Sequence, residues 1–124
     1  MRRFLAGLWL LGLALGQGLV LPFEGPKGYG LAQAFAQGLK APPPTLLALL
    51  LPDLPWRGSY ELAGGLYTKA GARLARAATG ADWVLLGREE EGGLRLILAR
   101  EGGSEERLFK TPELAWLWLQ GKGL

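Results

Sequence analysis

The glycines between residues 25 and 30 are the first feature that could do chemistry. This stretch reads GPKGYG, follows a short apolar segment and precedes an amphipathic one, an order typical of phosphate-binding loops. A Walker loop needs G-x-x-x-x-G-K-[ST], but here Gly30 is followed by Leu31 and Ala32. The spacing also differs from the dinucleotide fingerprint, and no acidic residue lies about twenty positions on to bind a ribose. We therefore expect no bound nucleotide and a tight strand-to-helix connection in which glycine supplies a positive φ angle.

Acid–base and nucleophilic chemistry has few candidates. The chain contains no histidine and no cysteine, which excludes Ser-His-Asp and Cys-His sites and ordinary zinc or copper sites. Acid–base work would fall to carboxylates such as Glu89–Glu91 and Glu105–Glu106, which we interpret as solvated hairpin ends. A carboxylate-based hydrolase acting on an envelope glycan or ester needs two carboxylates about 5 to 10 Å apart. Glu24 and Asp82, both near predicted strand ends, are the pair to examine, but we expect no catalytic residue, cofactor or metal.

Arginines are the basis of another alternative, a weak nucleic-acid-binding surface. The chain has 14 Lys+Arg and 11 Asp+Glu, but Arg2 and Arg3 fall in a predicted export signal, so 12 minus 11 leaves +1. The small remaining charge makes nucleic acid an unexpected partner, and steep salt dependence would be its signature. The candidate residues are Arg73, Arg76, Arg88, Arg95 and Arg100.

Residues 1–16, MRRFLAGLWLLGLALG, have the layout of a secretory signal, with a charged start, an apolar centre and small residues at the end. Cleavage is expected after Gly16 or Gly18. The apolar run would reach about 18 Å as a helix, against a hydrocarbon core of about 30 Å, so it is too short for a spanning anchor. A buried amino-terminal helix is the alternative. We expect an extracytoplasmic protein, in the periplasm or at the cell surface, that contacts membrane only through an uncleaved signal.

The first half of the mature chain predicts alternating strands and helices. Leu19–Phe23 is a short apolar strand, and a helix from Leu31 has Leu31, Phe35 and Leu39 on one face until prolines stop it at 42–44. Residues 45–51, TLLALLL, read as a buried strand, although leucine and alanine also favour a helix. A second helix is expected from a Ser59 cap to Thr79, or from a start nearer Leu66, because Gly64 and Gly65 weaken the first turns. Its predicted core stripe is Leu62, Leu66, Ala70, Leu74 and Ala77 or Ala78.

The second half has strand periodicity. Residues 82–110 contain a continuous apolar run, an alternating stretch and two glycine turns, which predict a three-stranded antiparallel meander with Leu94, Leu96 and Leu98 on its core face. Thr111-Pro112-Glu113 then begins a last helix. Residues 19–121 thus predict one α/β domain, a small mixed-sheet sandwich of order β-α-β-α-β-β-β-α with helices packed on the sheet.

Three segments resemble a known family. These are VLPFEG at 20–25, AQAFAQGL at 32–39 and, most specifically, GARLARAATGADWVLLGREEEGGLRLILAR at 71–100. They are similar to the amino-terminal domain of TolB and its relatives, which include curli-export type lipoproteins and TolB-like modules of bacterial cyclases. The resemblance implies an extracytoplasmic α/β module that assembles or couples envelope complexes, with no catalytic residues to carry over. The chain lacks the lipidated cysteine of the export lipoproteins and the β-propeller of TolB.

The expected function is a non-catalytic binding or assembly module of the bacterial cell envelope with an envelope protein as partner. The candidate partner-binding residues lie on the last helix, where successive residues turn by 100°. If Leu114, Leu117 and Trp118 pack on the sheet, Trp116 and Leu119 form an exposed apolar patch. The alternatives are that other elements cover this second face, and that the chain self-associates through an unpaired edge of the meander.

Overall fold

The computed structural model describes residues 18–44 and 67–124. These residues form a mixed α/β fold, as the sequence predicts. The predicted signal at 1–16 and the predicted strand at 45–51 lie outside the described residues, as does the first part of the helix expected at 59–79. The elements are β1 (Gly18–Val20), α1 (Gly28–Gly38), α2 (Lys69–Thr79), β2 (Trp83–Glu90), β3 (Gly93–Arg100), β4 (Gly103–Phe109) and α3 (Pro112–Gly121).

The four strands form one mixed sheet in the order β1-β2-β3-β4. Strand β1 is parallel to β2, with Gly18 opposite Trp83, while β2, β3 and β4 are antiparallel and joined by two-residue glycine turns. The predicted meander is therefore confirmed. Strand β1 is shorter than predicted. The residues that follow it still run alongside β2, as shown by the 3.0 Å hydrogen bond that the Glu24 amide donates to the Gly87 carbonyl.

Helices α1 and α3 pack on one face of the sheet, α1 over β1 and β2 and α3 over β3 and β4. The predicted apolar stripe of α1 is confirmed, since Phe35 and Leu39 are buried and Leu31 is partly buried against the same core. A Cβ atom built on Gly87 would lie 2.6 Å from Cγ of Phe23, so the absence of a side chain there admits the phenylalanine ring. The strand side chains in this core are Val20, Trp83, Leu85, Leu94, Leu96 and Leu98.

Helix α2 packs on the opposite face, which makes Ile97 and Ala99 as buried as the leucines with which they alternate. The helix begins at Lys69, later than the predicted start, because Thr68 Oγ1 accepts a 2.8 Å hydrogen bond from the Gly71 amide. The predicted Ser59 cap lies outside the described residues.

The predicted core stripe of α2 is wrong in its described part. Ala72 and Ala75 are buried, whereas Ala70 is exposed and Leu74 is 53% exposed. Small side chains on the buried face let the helix approach the sheet closely, and this places the larger leucine in solvent. In the described part of the chain, no helix has the length and apolar character needed to cross a bilayer.

Candidate binding groove between the first and last helices

Helix α3 is oriented differently from the prediction. Thr111 caps it as expected, accepting a 3.3 Å hydrogen bond from the Leu114 amide, but Ala115 and Leu119 face the sheet and are 0% exposed. The predicted exposed pairing of Trp116 with Leu119 is therefore wrong. The physical reason is that the narrow ridge formed by Ala115 and Leu119 faces the sheet and leaves room for Trp116 and Trp118 to pack on either side of it. Turning Trp118 toward the sheet would bury that indole but leave Trp116 unpacked.

The two tryptophans of α3 flank this ridge, as expected for side chains about 200° apart on a helix. Trp116 leans toward α1, with its ring centroid 5.9 Å from that of Phe35. Trp118 leans toward β4, and its ring centroid lies 5.3 Å from that of Phe109. The guanidinium carbon of Arg107 lies 5.9 Å from the Trp118 ring centroid. Both indoles are half-buried, so Trp116 is a wall of a groove and not an isolated exposed side chain.

An apolar groove of about 460 Å³ runs between α1 and α3. Its wall on α1 repeats at the i, i+3, i+4 and i+7 positions of one helical face. Leu117 stands at the outer rim, where 62% of its surface is exposed. The groove is lined by Leu31, Ala34, Phe35, Gly38, Pro112, Glu113, Trp116 and Leu117.

The two helices run in the same direction along the groove. Leu31 lies near Pro112 at one end, and Gly38 lies against Trp116 at the other. Gly38 lies seven helical steps after Leu31, so the groove is about 10 Å long, or two helical turns. Sequence periodicity identified the buried side of α1, but the rim residues Ala34, Gly38 and Leu117 were missed because their role depends on which face of α3 is buried.

The groove offers little for bond-making chemistry. Among the described residues, Glu113 is the one titratable side chain in the lining, and it makes no ion pair there. Apolar walls with one carboxylate at the end bind an apolar surface and orient it through one charged contact.

The glycine loop at 25–30 forms a tight connection. Gly25 has a φ angle of 112°, and its carbonyl accepts a 3.1 Å hydrogen bond from the amide of Gly28, the first residue of α1. Lys27 is exposed and Tyr29 is half-buried. Glycine therefore supplies the positive φ angle at Gly25, as the sequence predicts.

The carboxylate pair required by the hydrolase alternative does not converge. Glu24 lies beside Arg88 near the end of β2, whereas Asp82 immediately precedes the start of that strand. Six strand residues separate these positions, or about 20 Å, well beyond the separation of a glycosidase pair. Glu24 is 8% exposed, and its Oε2 atom lies 3.0 Å from Nε of Arg88. Within residues 18–44 and 67–124, no cluster of three metal-ligating side chains occurs.

The five candidate arginines divide into two groups. Arg88 pairs with Glu24, and Arg95 pairs with Glu90 at 2.9 Å, an interaction whose hydrogen bond raises the pKa of Arg95. These two arginines lie opposite each other in the β2–β3 register. The other three, Arg73, Arg76 and Arg100, line a separate cavity at the far end of the sheet.

Tyr67 lies beneath the first arginine group. Its side chain is 6% exposed, the guanidinium carbon of Arg88 is 4.4 Å from its ring centroid, and its hydroxyl has no hydrogen-bond partner within the described part of the chain. Burial, followed by the nearby charge of Glu106, raises the pKa of Tyr67.

The chain was compared with protein-family models, with curated proteins and with solved structures, and nothing matches it.

Proposed function

We propose that this protein is a non-catalytic binding module that holds an amphipathic helix of a partner protein in the groove between α1 and α3. The observation that carries the proposal is Leu117, which remains 62% exposed at the rim of an apolar groove walled by Trp116. Leu117 and Trp116, together with exposed Leu114, form an apolar surface patch of the kind that marks protein interaction sites.

A helix is the occupant that fits the shape of the groove. Both walls are helices that run side by side, and the α1 rim at Ala34 carries only a methyl group, while Gly38 carries no side chain and lies against the Trp116 indole. A third helix can therefore approach closely and insert side chains at i, i+3, i+4 and i+7, the usual pattern of helix-in-groove recognition. Two turns of groove accommodate two or three such anchors.

The charge of the groove adds one requirement on the partner. Glu113 lies at the Pro112 end, and a carboxylate that pairs with no cation among the described residues favours a basic residue on the incoming helix. We infer a partner helix with a leucine-rich face and a lysine or arginine at its edge. Because this contact with Glu113 lies at the solvent-exposed rim, it orients the partner helix more than it adds to the binding affinity.

The proposal includes an extracytoplasmic location and an envelope protein as the partner. The signal-like layout of residues 1–16 and the TolB-like segments at 20–25, 32–39 and 71–100 support it. The partner would be a component of a complex in the cell envelope. The hydrolase alternative is not retained, because Glu24 and Asp82 lie at opposite ends of β2.

The test is site-specific photo-crosslinking in cells of the source organism. A photoreactive amino acid is placed at position 117, and the matched control carries it at Leu74, which is 53% exposed on the opposite side of the sheet. Crosslinked peptides are identified by mass spectrometry, synthesised and titrated into the full chain. We expect an amphipathic segment of another protein from position 117 only, with affinity reduced about tenfold (1.4 kcal/mol) by Leu117→Ser and unchanged by Leu74→Ser.

Three results would contradict the proposal. They are the same crosslinks from both positions, crosslinks only to another copy of the chain, and the absence of crosslinks from position 117. Crosslinks to another copy would identify the groove as a self-association surface.

A further inference from the structure

A second cavity, of about 320 Å³, lies at the end of the sheet where β3 turns into β4. Arg73 and Arg76 reach it from α2, and Arg100 reaches it from the last position of β3. The remaining lining residues are Gly102 and Gly103, where an added Cβ atom would meet no atom within 4 Å. Within the described part of the chain, every side chain that lines this cavity therefore carries a guanidinium, and the backbone wall at Gly102 and Gly103 is open.

The positive charge of this cavity is not neutralised by the described residues. Nε of Arg76 donates a 3.1 Å hydrogen bond to the Asp82 carbonyl, and Nη1 of Arg100 donates a 3.2 Å bond to the Lys122 carbonyl. These uncharged acceptors fix the direction of two guanidiniums and leave their charge in place. Arg73 makes no hydrogen bond or ion pair within residues 18–44 and 67–124.

Nearby carboxylates do not enter the cavity. Glu101 lies in the exposed β3–β4 turn, and the side chain of Asp82 is exposed before β2; neither residue is part of the lining. Glu105 lies close enough for Arg100 to lower its pKa, but its hydrogen bond comes from Lys122 at 2.7 Å. By contrast, Arg88 and Arg95 each contact a carboxylate directly.

Helix stability explains only part of this arrangement. Arg76 lies in the last turn of α2, where a cation interacts favourably with the helix dipole. That effect falls off within a turn and does not account for Arg73 or for Arg100 on the other side of the cavity. Like charges gathered around one cavity repel each other, so a bound anion would stabilise the group.

We propose that this cavity binds the phosphate group of a small molecule. The guanidinium fork matches two phosphate oxygens at once, and three such groups around one open backbone wall can surround a tetrahedral dianion. The volume is at the lower end of the range of about 300 to 1,000 Å³ typical of small-ligand pockets. A nucleic-acid track is disfavoured because Arg88 and Arg95 contact carboxylates at the other end of the sheet.

The test is calorimetric titration of the full chain with inorganic phosphate and with inorganic pyrophosphate at constant ionic strength. We expect one saturable site per chain. Arg73→Gln, at an exposed position with no hydrogen bond or ion pair to another described residue, and Arg100→Gln should each weaken binding by at least about tenfold, since each loses charge-assisted contacts. Arg107→Gln removes the same charge from the surface of β4 beside Trp118 and should leave the affinity unchanged. Thermal unfolding of each variant separates lost binding from lost folding.

A second arm distinguishes free phosphate from a lipid headgroup. Phosphatidylcholine vesicles with and without phosphatidic acid are sedimented with the protein. Binding that requires phosphatidic acid, is displaced by pyrophosphate and is lost in Arg73→Gln would show that the phosphate is a headgroup; no sedimentation together with saturable pyrophosphate binding indicates a soluble ligand. The proposal fails if neither anion saturates, if Arg107→Gln weakens binding as much as Arg73→Gln, or if an oligonucleotide binds and pyrophosphate does not.

Discussion

Gly38 of α1 lies directly against the indole of Trp116 of α3, so that a Cβ atom built on Gly38 would come within 2.6 Å of Cη2. Gly38→Ala must therefore displace the indole, while Gly30→Ala, in the same helix, would meet no atom within 4 Å. Alanine favours a helix interior over glycine by about 0.5 to 1 kcal/mol. We expect Gly30→Ala to show that gain in urea unfolding.

For Gly38→Ala we expect the gain to be offset by lost packing of Trp116 and the indole NH resonance of Trp116 to shift. Gly30→Ala should leave that resonance in place. If Gly30→Ala and Gly38→Ala stabilised the protein equally and the Trp116 indole NH resonance did not shift, the contact between Gly38 and Trp116 would not be tight, which would contradict this prediction.

Glu24 and Arg88 tie the segment after β1 to β2. The Glu24 carboxylate is 10% exposed and the Arg88 side chain 32% exposed, so the pair is only partly screened by water. We expect Glu24→Gln to reduce the free energy of unfolding by about 1 to 2 kcal/mol, less than the loss for a fully buried pair, because the guanidinium keeps some solvent contact. A double-mutant cycle with Arg88→Gln measures the coupling. The more exposed Glu90–Arg95 pair is the control and should show a smaller loss on Glu90→Gln; the reverse order would contradict the assignment.

Tyr67→Phe removes a buried hydroxyl that has no partner within the described part of the chain. Because desolvating an unpaired hydroxyl is unfavourable, we expect the variant to be as stable as the parent or more stable by up to about 1 kcal/mol. The raised pKa of Tyr67 means that the fold holds the neutral phenol. The contribution of the neutral Tyr67 side chain to the free energy of unfolding is therefore complete below the ordinary tyrosine pKa of about 10, and it is lost as the pH rises above that value.

Thermal unfolding of Tyr67→Phe and parent at neutral and alkaline pH tests both statements. The advantage of Tyr67→Phe should grow above pH about 10, the ordinary tyrosine value. A clear loss of stability at neutral pH would mean that the hydroxyl has a hydrogen-bond partner in solution.

Glu105 and Lys122 connect β4 to the end of α3 through a 2.7 Å contact. The hydrogen bond from Lys122 lowers the pKa of Glu105, so its stabilising effect is present above the ordinary glutamate pKa and is lost as pH falls through the lower folded value. We expect Glu105→Gln to unfold at a lower temperature than the parent near neutral pH, and the two to converge as the pH falls below the ordinary glutamate pKa of about 4.3 and through the lower folded value. Exposed Glu101, at the β3–β4 turn, is the matched control. If Glu101→Gln lowered the unfolding temperature by the same amount, the effect would come from the change in net charge and not from the Glu105–Lys122 contact.

Local signals predicted much of the fold. The period of two in the meander and the Thr111-Pro112 start of α3 are properties of short segments, and both are found in the structure. The faces of α2 and α3 could not be predicted in the same way. Leu74 is the largest apolar residue of α2, yet it is exposed because Ala72 and Ala75 allow close packing on the sheet; on α3, Leu117 is exposed because Ala115 and Leu119 occupy the buried face. The groove and the arginine cavity depend on those faces and on the sheet order, which no short segment specifies.

The parallel pairing of β1 with β2 has a consequence for the order of assembly. Gly18 pairs with Trp83, 65 positions later (83 minus 18), whereas each strand of the meander pairs with its neighbour across a two-residue turn. Long-range closure is slow relative to hairpin formation, so we expect the meander to form early and β1 to dock last. During synthesis β1 leaves the ribosome long before its partner strand, so it cannot pair in the sheet until residues 83–85 have been made.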